Sequence, residues 1–363
     1  MQSTKHWLSL SIVCLFCLLG IVLLAVPAQA KPFAYVTNSS SSSVSVIDTA
    51  TNTVTGTIGV GFRPIGVAFT PNGSRVYVTN SNSDSVSVID TATNTVIATV
   101  IVGFFPQGLA ITPNGSRAYT ANTFSNSVSV VDTASNTVIA TIGVGVDPAG
   151  VAFTPDGARS YVTNAGSQSV SVIDTTTNTV VATVGVGVNS LGVAVTPDGS
   201  RAYVANNGSN SVSVIDTATN TVIATVGMFQ PVVPAITPDG TRAYVTNSSA
   251  TFGSVSVVDT ASNTVIATIG IGPNAQSVAI TPDGTRAYAT SFGSDSVFVI
   301  DTATNTVIAT VGVGSAPVGV AITPGVGPPT NKSQCKKDGW RLFTIPEKFK
   351  NQGDCVSFVN TGK

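Results

Sequence analysis

Short β-rich runs recur along most of this chain in sets of four, and within a run a large β-branched or aromatic residue alternates with a small one. One set occupies residues 108–112, 117–121, 127–131 and 136–142. Alternation with a period of two is typical of β-strands, and large residues alternating with small ones let neighbouring sheets pack on both faces. The runs are separated by a Pro-Asn-Gly tripeptide, an Asn- and Ser-rich loop and an Asp-Thr-Ala-Ser-Asn segment, all of which favour turns. The pattern therefore predicts units of four short strands joined by tight connections.

The string Val-[Ile/Val]-Asp-Thr marks the same point in each unit. Its Asp recurs in steps of 42 or 43 residues, which gives seven repeats. Four strands in a period of about forty residues describe one blade of a β-propeller. We expect each of these carboxylates to accept hydrogen bonds from the backbone of the turn that follows it, a structural role. The seven residues are Asp48, Asp90, Asp132, Asp174, Asp216, Asp259 and Asp301.

The two ends of the array predict how the ring closes. The sequence Phe-Ala-Tyr-Val-Thr-Asn from residue 33 matches the second strand of a blade, and no first strand precedes it. Residues 318–324 match a first strand, and no further strands of that blade follow. Residues 31–324 span seven periods of 42 residues, so the two fragments complete one shared blade without an open edge. The predicted fold is an all-β, seven-bladed propeller with four-stranded blades.

Residues 1–30 differ from the rest of the chain. Lys5 and His6 precede a long apolar run that ends in Ala28-Gln-Ala30, a small-x-small pattern typical of signal peptidase sites. We expect a cleaved signal peptide over residues 1–30 and a mature chain that starts at Lys31. An uncleaved membrane anchor stays open as the alternative, because the run is about long enough to span a bilayer.

The inventory of charged and metal-binding residues excludes several kinds of chemistry. Only 9% of the residues are charged and the formal net charge is −1, so no excess of basic charge points to nucleic acid. The chain has one His, His6, and one Glu, Glu347, and its four Cys also lie outside residues 31–324. Haem, copper and zinc sites of the usual type cannot be built there, and we expect no cofactor. An all-oxygen Ca²⁺ site stays open, with carboxylates from Asp84, Asp147 or Asp295.

Copies of the tetrapeptide Tyr-Val-Thr-Asn begin at Tyr35, Tyr77, Tyr161 and Tyr244, each followed by Ser-Val-Ser-Val-[Ile/Val]-Asp-Thr. Over residues 31–324 the chain resembles the YVTN-repeat family of β-propellers. The resemblance implies an exported bacterial or archaeal protein, since the family includes surface-layer proteins and a periplasmic member that binds single-stranded DNA. Similar propellers occur in lactonases and in domains that hold haem or copper. Because residues 31–324 lack the usual metal ligands, we expect the lactonase-like and copper-enzyme relatives to be poor models for this chain.

The repeats differ mainly in two sets of loops, which the strand order places at one end of the propeller. One set joins consecutive blades and the other joins the second and third strands of each blade. Exposed apolar clusters often mark contact surfaces, although several of these side chains could instead fold back over the blade ends. The predicted binding face consists of Phe62, Arg63, Phe104, Phe105, Phe124, Met228, Phe229, Phe252 and Phe292.

The C-terminal part is predicted to be a linker at residues 325–330 and a small module at residues 331–363. The module resembles a short Cys-containing segment that recurs at the C-terminus of secreted bacterial proteins. In an exported chain its two cysteines, Cys335 and Cys355, should form a disulfide. The module carries seven basic and three acidic residues, a charge of +4. It is either a solvated cap or an anchor for an anionic wall polymer or membrane surface.

Together these features favour an exported, non-catalytic propeller, periplasmic, at the cell surface or extracellular, that acts as a binding or scaffold module and not as an enzyme. The expected partner is a protein, glycan or wall polymer, and no integral membrane domain remains after signal cleavage. One alternative is a propeller that binds a polymer or single-stranded nucleic acid, for which Arg63 is the sole basic residue of the variable loops. A second alternative is an enzyme with an unrecognised oxygen-ligand site.

Overall fold

A computed structural model describes residues 32–324. They form 28 strands arranged as seven four-stranded antiparallel sheets, the blades. The innermost strand of each blade faces the ring axis and the fourth strand lies at the circumference. Two short 3₁₀ helices, Thr123–Ser125 and Phe292–Ser294, interrupt the loops of blades 3 and 7. Within the described residues, no apolar helix is long enough to cross a membrane.

The strands have nearly the same length in every blade. Blade 1 contains β1 (Phe33–Asn38), β2 (Ser43–Asp48), β3 (Thr53–Gly59) and, from the other end of the array, β28 (Pro317–Ile322). Blade 2 contains β4 (Pro64–Phe69), β5 (Arg75–Asn80), β6 (Ser85–Asp90) and β7 (Thr95–Ile101). Blade 3 contains β8 (Pro106–Ile111), β9 (Arg117–Asn122), β10 (Ser127–Asp132) and β11 (Thr137–Gly143). Blade 4 contains β12 (Pro148–Phe153), β13 (Arg159–Asn164), β14 (Ser169–Asp174) and β15 (Thr179–Gly185). Blade 5 contains β16 (Ser190–Val195), β17 (Arg201–Asn206), β18 (Ser211–Asp216) and β19 (Thr221–Gly227). Blade 6 contains β20 (Pro231–Ile236), β21 (Arg242–Asn247), β22 (Ser254–Asp259) and β23 (Thr264–Gly270). Blade 7 contains β24 (Ala275–Ile280), β25 (Arg286–Ser291), β26 (Ser296–Asp301) and β27 (Thr306–Gly312).

Blade 1 closes the ring with strands from both ends of the array. Its order is β28-β1-β2-β3, and β28 pairs antiparallel with β1, with Tyr35 opposite Ala321. The Phe33 N–H donates to Thr323 Oγ1 at 2.8 Å, and the Thr323 N–H donates to the Phe33 carbonyl at 2.8 Å. The predicted seven-bladed fold and its shared closing blade are confirmed. The signal peptide, the linker and the C-terminal module fall outside the described residues and stay predictions.

Apolar side chains from neighbouring blades form the core. Between blades 2 and 3, Tyr77, Val86 and Val88 pack against Leu109 and Ala118. These residues lie on alternate positions of their strands, so one face of each sheet is buried against the next sheet. The same arrangement repeats around the ring, which explains why both faces of a blade can be apolar.

Each tyrosine of the repeat also makes a polar bond to the next blade. The Tyr77 hydroxyl donates to Asn136 Oδ1 at 2.8 Å, although Tyr77 itself is fully buried. The acceptor is the Asn of the turn between the third and fourth strands, so the bond joins the body of one blade to the turn of its neighbour. Seven such bonds complete the ring: Tyr35–Asn94, Tyr77–Asn136, Tyr119–Asn178, Tyr161–Asn220, Tyr203–Asn263, Tyr244–Asn305 and Tyr288–Asn52.

These tyrosines predict loss of stability in alkali. Burial raises the pKa of all seven, and with the nearby Asp90 charge it raises the pKa of Tyr35 to about 12. Tyrosine hydroxyls in the unfolded chain ionise near pH 10, whereas the buried ones stay protonated to a higher pH. The contribution of the seven tyrosines to the free energy of unfolding is therefore complete below pH 10 and is lost as the pH rises towards 12. Thermal melts across this interval should show a falling melting temperature, with tyrosinate absorbance appearing as the protein unfolds. A melting temperature that stays constant up to pH 12 would contradict this.

Candidate functional site

The two ends of the propeller carry different connections. At one end, the turn end, lie the Pro-[Asp/Asn]-Gly turns and the Asp-Thr-x-x-Asn turns. At the other, the loop end, the connection between two blades is hydrogen-bonded to the loop between the second and third strands. There the N–H groups of Thr123 and Phe124 donate to the carbonyls of Phe105 and Phe104, at 3.1 and 3.2 Å. The variable loops therefore form one continuous surface, as the strand order predicts.

A ring of seven residues with positive φ surrounds the propeller axis at the loop end. Each is the last residue before an innermost strand, and its φ lies between 42° and 57°. Asn and Asp adopt this left-handed conformation relatively easily, whereas long or aromatic side chains rarely do so. Such residues often occur at functional sites. The ring consists of Arg63, Phe105, Asp147, Asn189, Gln230, Asn274 and Ala316.

Side chains of the neighbouring loops hold part of this ring in place. The Phe105 N–H donates to Asp84 Oδ1 at 2.9 Å, and the Ala316 N–H donates to Asp295 Oδ1 at 2.7 Å. Asp84 and Asp295, suggested above as Ca²⁺ ligands, thus bind backbone N–H groups. Residues 32–324 contain no group of three or more His, Cys, Asp or Glu side chains that could hold a metal ion.

Most of the predicted aromatic face is exposed. The exposed fractions range from 40% for Phe292 to 84% for Phe252, and they are 60–69% for Phe62, Phe104, Phe124 and Phe229. Met228 differs, because its side chain is partly buried against the core cluster that includes Ala243 and Val245. Met228 is therefore part of the packing beneath the face.

The structure brings three of the predicted residues into direct contact. The rings of Phe105 and Phe124 stack with centroids 4.6 Å apart and an interplanar angle of 28°. The Arg63 guanidinium lies over the Phe105 ring, 5.2 Å from its centroid, within the range of a cation–π contact. We call Arg63, Phe105 and Phe124 the aromatic stack. Among residues 32–324, no ring contact joins it to Phe229, Phe252 or Phe292, so the nine predicted residues do not form a single cluster.

The seven innermost strands enclose an axial cavity of about 340 Å³. Its walls are mostly apolar, with residues such as Ile65, Leu191 and Val318, but Gln107 and Gln276 introduce amide groups. Sequence analysis missed both glutamines. The repeat could have shown them, because a polar residue replaces an apolar one at this position. Both glutamines are the second residue of an innermost strand, where the other blades have Ile, Ala, Leu or Val.

The repeated Asp residues lie at the turn end, away from this surface. Each accepts a hydrogen bond from the backbone N–H three residues later, at 2.7–3.3 Å. At Asp90, the backbone N–H and hydroxyl of Thr93 lower the pKa of the carboxyl. The arginines of the turns join blades, as when Arg75 Nη1 donates to the Thr133 carbonyl at 2.6 Å. Cys335 and Cys355 lie outside the described residues.

Two family models match overlapping parts of the chain. Residues 7–114 and 67–167 match the YNCE-like beta-propeller, and residues 120–317 match the cytochrome D1 heme domain. The YNCE-like match confirms the propeller type identified from the repeats. No curated protein matches this chain.

Solved structures also resemble the chain. Hydrazine synthase from Kuenenia stuttgartiensis is 26% identical, with 73% of this chain and 90% of that chain covered and a TM-score of 0.67. A functionally unknown protein from Desulfotomaculum acetoxidans DSM 771 is 22% identical over 80% of this chain and 98% of that chain, with a TM-score of 0.70. The dihydro-heme d1 dehydrogenase NirN is 15% identical over 81% of this chain and 76% of that chain, with a TM-score of 0.61. The last two similarities concern the fold alone.

These matches correct two expectations. The chain was expected to be a non-catalytic binding or scaffold module and not an enzyme, on the ground that its propeller lacks haem ligands. That interpretation is wrong, because the haem-domain match extends over residues 120–317 and hydrazine synthase is among the structural relatives. Absence of the usual ligands did not justify setting haem-holding relatives aside. The chain belongs to the family described as the cytochrome D1 heme domain.

Proposed function

We propose that the loop end of this propeller binds a planar tetrapyrrole with acidic side groups, as the cofactor-holding domain of an enzyme. Family membership supports the ligand class. The observation that carries the proposal is the aromatic stack, in which two phenylalanine rings lie together with Arg63, the one guanidinium that residues 32–324 place at the loop end.

The macrocycle fits the chemistry of this surface. A tetrapyrrole presents a large aromatic face, which packs favourably on a phenylalanine ring. Phe124 is the exposed ring of the stack, whereas the Phe105 ring is partly buried between Phe124 and Arg63 and supports it. Its carboxylates suit an Arg guanidinium, which binds carboxylates through two parallel hydrogen bonds. The Arg63 guanidinium makes no side-chain hydrogen bond to another residue of 32–324, so its donors are available. Phe62 and Phe104, both more than 60% exposed, would extend the apolar surface beside the stack.

The backbone beneath the stack is fixed before any ligand arrives. The Phe105 N–H binds Asp84 Oδ1, its carbonyl accepts from Thr123, and the Arg63 carbonyl accepts from the Ser81 N–H at 3.0 Å. A preformed site loses less conformational entropy on binding than a flexible one. These bonds keep the loops, and with them the aromatic stack, in one position, so that the stack can orient the tetrapyrrole.

The iron of a haem does not fit residues 32–324 in the same way. Haem iron is usually held by His, Cys, Met or Tyr. The described propeller has no His or Cys, its single Met is Met228, and its seven Tyr hydroxyls are bonded between blades. The chain's own role in this region is to bind and orient the macrocycle.

Export is a separate proposal. It is supported by the composition of residues 1–30, with basic residues, an apolar run and an Ala-Gln-Ala site.

Titration of the full chain with hemin tests the proposed function. Wild-type protein should bind with a saturable change in absorbance. A Phe105→Ser/Phe124→Ser variant should bind about tenfold to thirtyfold more weakly, because it removes both stacked rings. Arg63→Ala should bind several-fold more weakly and show less dependence on salt.

The matched control is Ile139→Ser, which removes an apolar side chain that is 50% exposed on β11 at the circumference. It should bind hemin like wild type, and thermal melts should show that all variants are folded. Failure of wild type to bind hemin saturably, or equal weakening by Ile139→Ser, would refute the loop-end site.

A further inference from the structure

The loop end offers aromatic faces and one cation, but very few atoms that could bind a metal. Residues 32–324 contain no His, Cys, Glu or Lys. The side-chain donors left to consider are the thioether of Met228, the tyrosine hydroxyls and the carboxylates of the loops. Each group has a definite position in the structure.

Met228 and the tyrosines are occupied elsewhere. The Met228 side chain packs against the apolar cluster of blades 5 and 6 that includes Tyr203 and Val258. The tyrosine hydroxyls donate to asparagines of the turn end, as Tyr203 does to Asn263 at 2.8 Å. The loop-end ligand could not reach these hydroxyls without breaking the contacts between blades.

The loop-end carboxylates are poor candidates as well. Asp84 and Asp295 accept hydrogen bonds from the backbone N–H groups of Phe105 and Ala316. If either carboxylate moved to a metal, a residue of the positive-φ ring would lose the bond that braces it. Asp147 remains, and carboxylate oxygen suits Ca²⁺ or Mg²⁺ better than the iron of a haem.

We infer that this propeller recognises the tetrapyrrole macrocycle and not its metal, so that it accepts metal-free tetrapyrroles as well as haem. The inference rests on the proposed function and deepens it. Binding energy comes from ring stacking and from carboxylate pairing with Arg63, and both are the same with or without iron. Any side-chain ligand to iron must come from outside residues 32–324 or from another molecule.

The test compares hemin with protoporphyrin IX, its iron-free form, on the full chain. The two dissociation constants should agree within about threefold, since a usable iron ligand would add far more than this. The absorption spectrum of the hemin complex should lack the bands of iron with two strong protein ligands. Phe105→Ser/Phe124→Ser should weaken both ligands by the same factor.

A fivefold variant, H6A/C14S/C17S/C335S/C355S, removes every His and Cys donor that the full chain has outside residues 32–324. A preference for hemin that disappears in this variant supports the inference, because the ligand then came from outside the propeller. A preference of tenfold or more that persists in it would overturn the inference while leaving the proposed function intact. If neither ligand binds, the proposed function fails and the inference fails with it.

A gain-of-ligand variant gives an independent measurement. Phe104→His places an imidazole beside the aromatic stack, at a position that is 65% exposed in wild type. Loss of the Phe104 ring should weaken both ligands alike, so the readout is the ratio of the two dissociation constants. This ratio should shift by about tenfold or more in favour of hemin, and the absorption bands of His-ligated iron should appear. Ile139→His, at the circumference, should change neither. If Phe104→His changed the binding of hemin and of protoporphyrin IX by the same factor, the iron would not lie within reach of residue 104, and the proposed position of the macrocycle would be wrong.

Discussion

Deletion of residues 318–363 should lower the melting temperature by about 10 °C or more. The deletion removes most of β28, which pairs with β1 and supplies Val320 to the core. It also breaks the bonds that join Thr37 to the Gly319 N–H at 2.8 Å and Thr290 to the Val318 carbonyl at 2.7 Å. Burial of three apolar side chains alone is worth about 5 kcal/mol, and each kcal/mol shifts the melting temperature of a domain this large by about 2–4 °C. Blade 1 would be left with an unpaired inner edge.

The matched control for this deletion is a chain that ends at Pro324. It keeps β28 and the bonds between Phe33 and Thr323, so its melting temperature should stay close to that of the full chain. Circular dichroism melts of the three proteins provide the comparison. Equal melting temperatures for the two truncated chains would show that β28 does not close the ring in solution.

Gly108→Ala should be one of the most damaging single substitutions in the propeller. A Cβ at Gly108 would lie 2.1 Å from the carbonyl oxygen of Ala149 in the next blade, so the backbones must separate. Overpacking of this kind costs about 3 kcal/mol. Urea unfolding should show a lower midpoint with little change in slope.

Gly143→Ala is the matched control for this substitution. Gly143 ends β11, and a Cβ there would have no atom within 4 Å. Its free energy of unfolding should change by less than about 0.5 kcal/mol. If Gly108→Ala unfolds at the same urea concentration as Gly143→Ala, the close approach of blades 3 and 4 is absent in solution.

The repeat made most of the fold predictable. Each strand appears seven times, so a local alternation that is ambiguous once becomes secure when it recurs every 42 residues. In the third blade, strands expected at 117–121 and 127–131 are found at Arg117–Asn122 and Ser127–Asp132. The closing blade could be predicted because the missing first strand at one end matched the extra strand at the other.

Contacts between repeats were harder to predict. Tyr77 and Asn136 lie 59 residues apart, and the sequence of one repeat does not say which turn a tyrosine will reach. The positive φ of Phe105 and Arg63 was also hidden, because these residue types rarely adopt it. Only the bonds from the neighbouring loops require that conformation.

The functional interpretation failed for a different reason. A list of available residue types excludes ligation of a metal, but it does not exclude binding of the organic ring around that metal. Phe105 and Phe124 indicate a contact surface in the sequence, but they lie 19 residues apart, and only the structure shows that their rings stack. The disulfide, the signal peptide and the surface partners remain predictions.

The Tyr–Asn bonds have a direction, since every blade donates to the blade that follows it. When units bind head to tail, the first and the last unit each keep one unpaired surface until the row closes into a ring. A fragment of three or four blades would therefore carry an unused donor face at one end and an unused acceptor face at the other. Two such fragments from different chains could satisfy each other as well as a single chain satisfies itself. The bonds that close the ring within one chain would therefore suit fragments of two chains equally well.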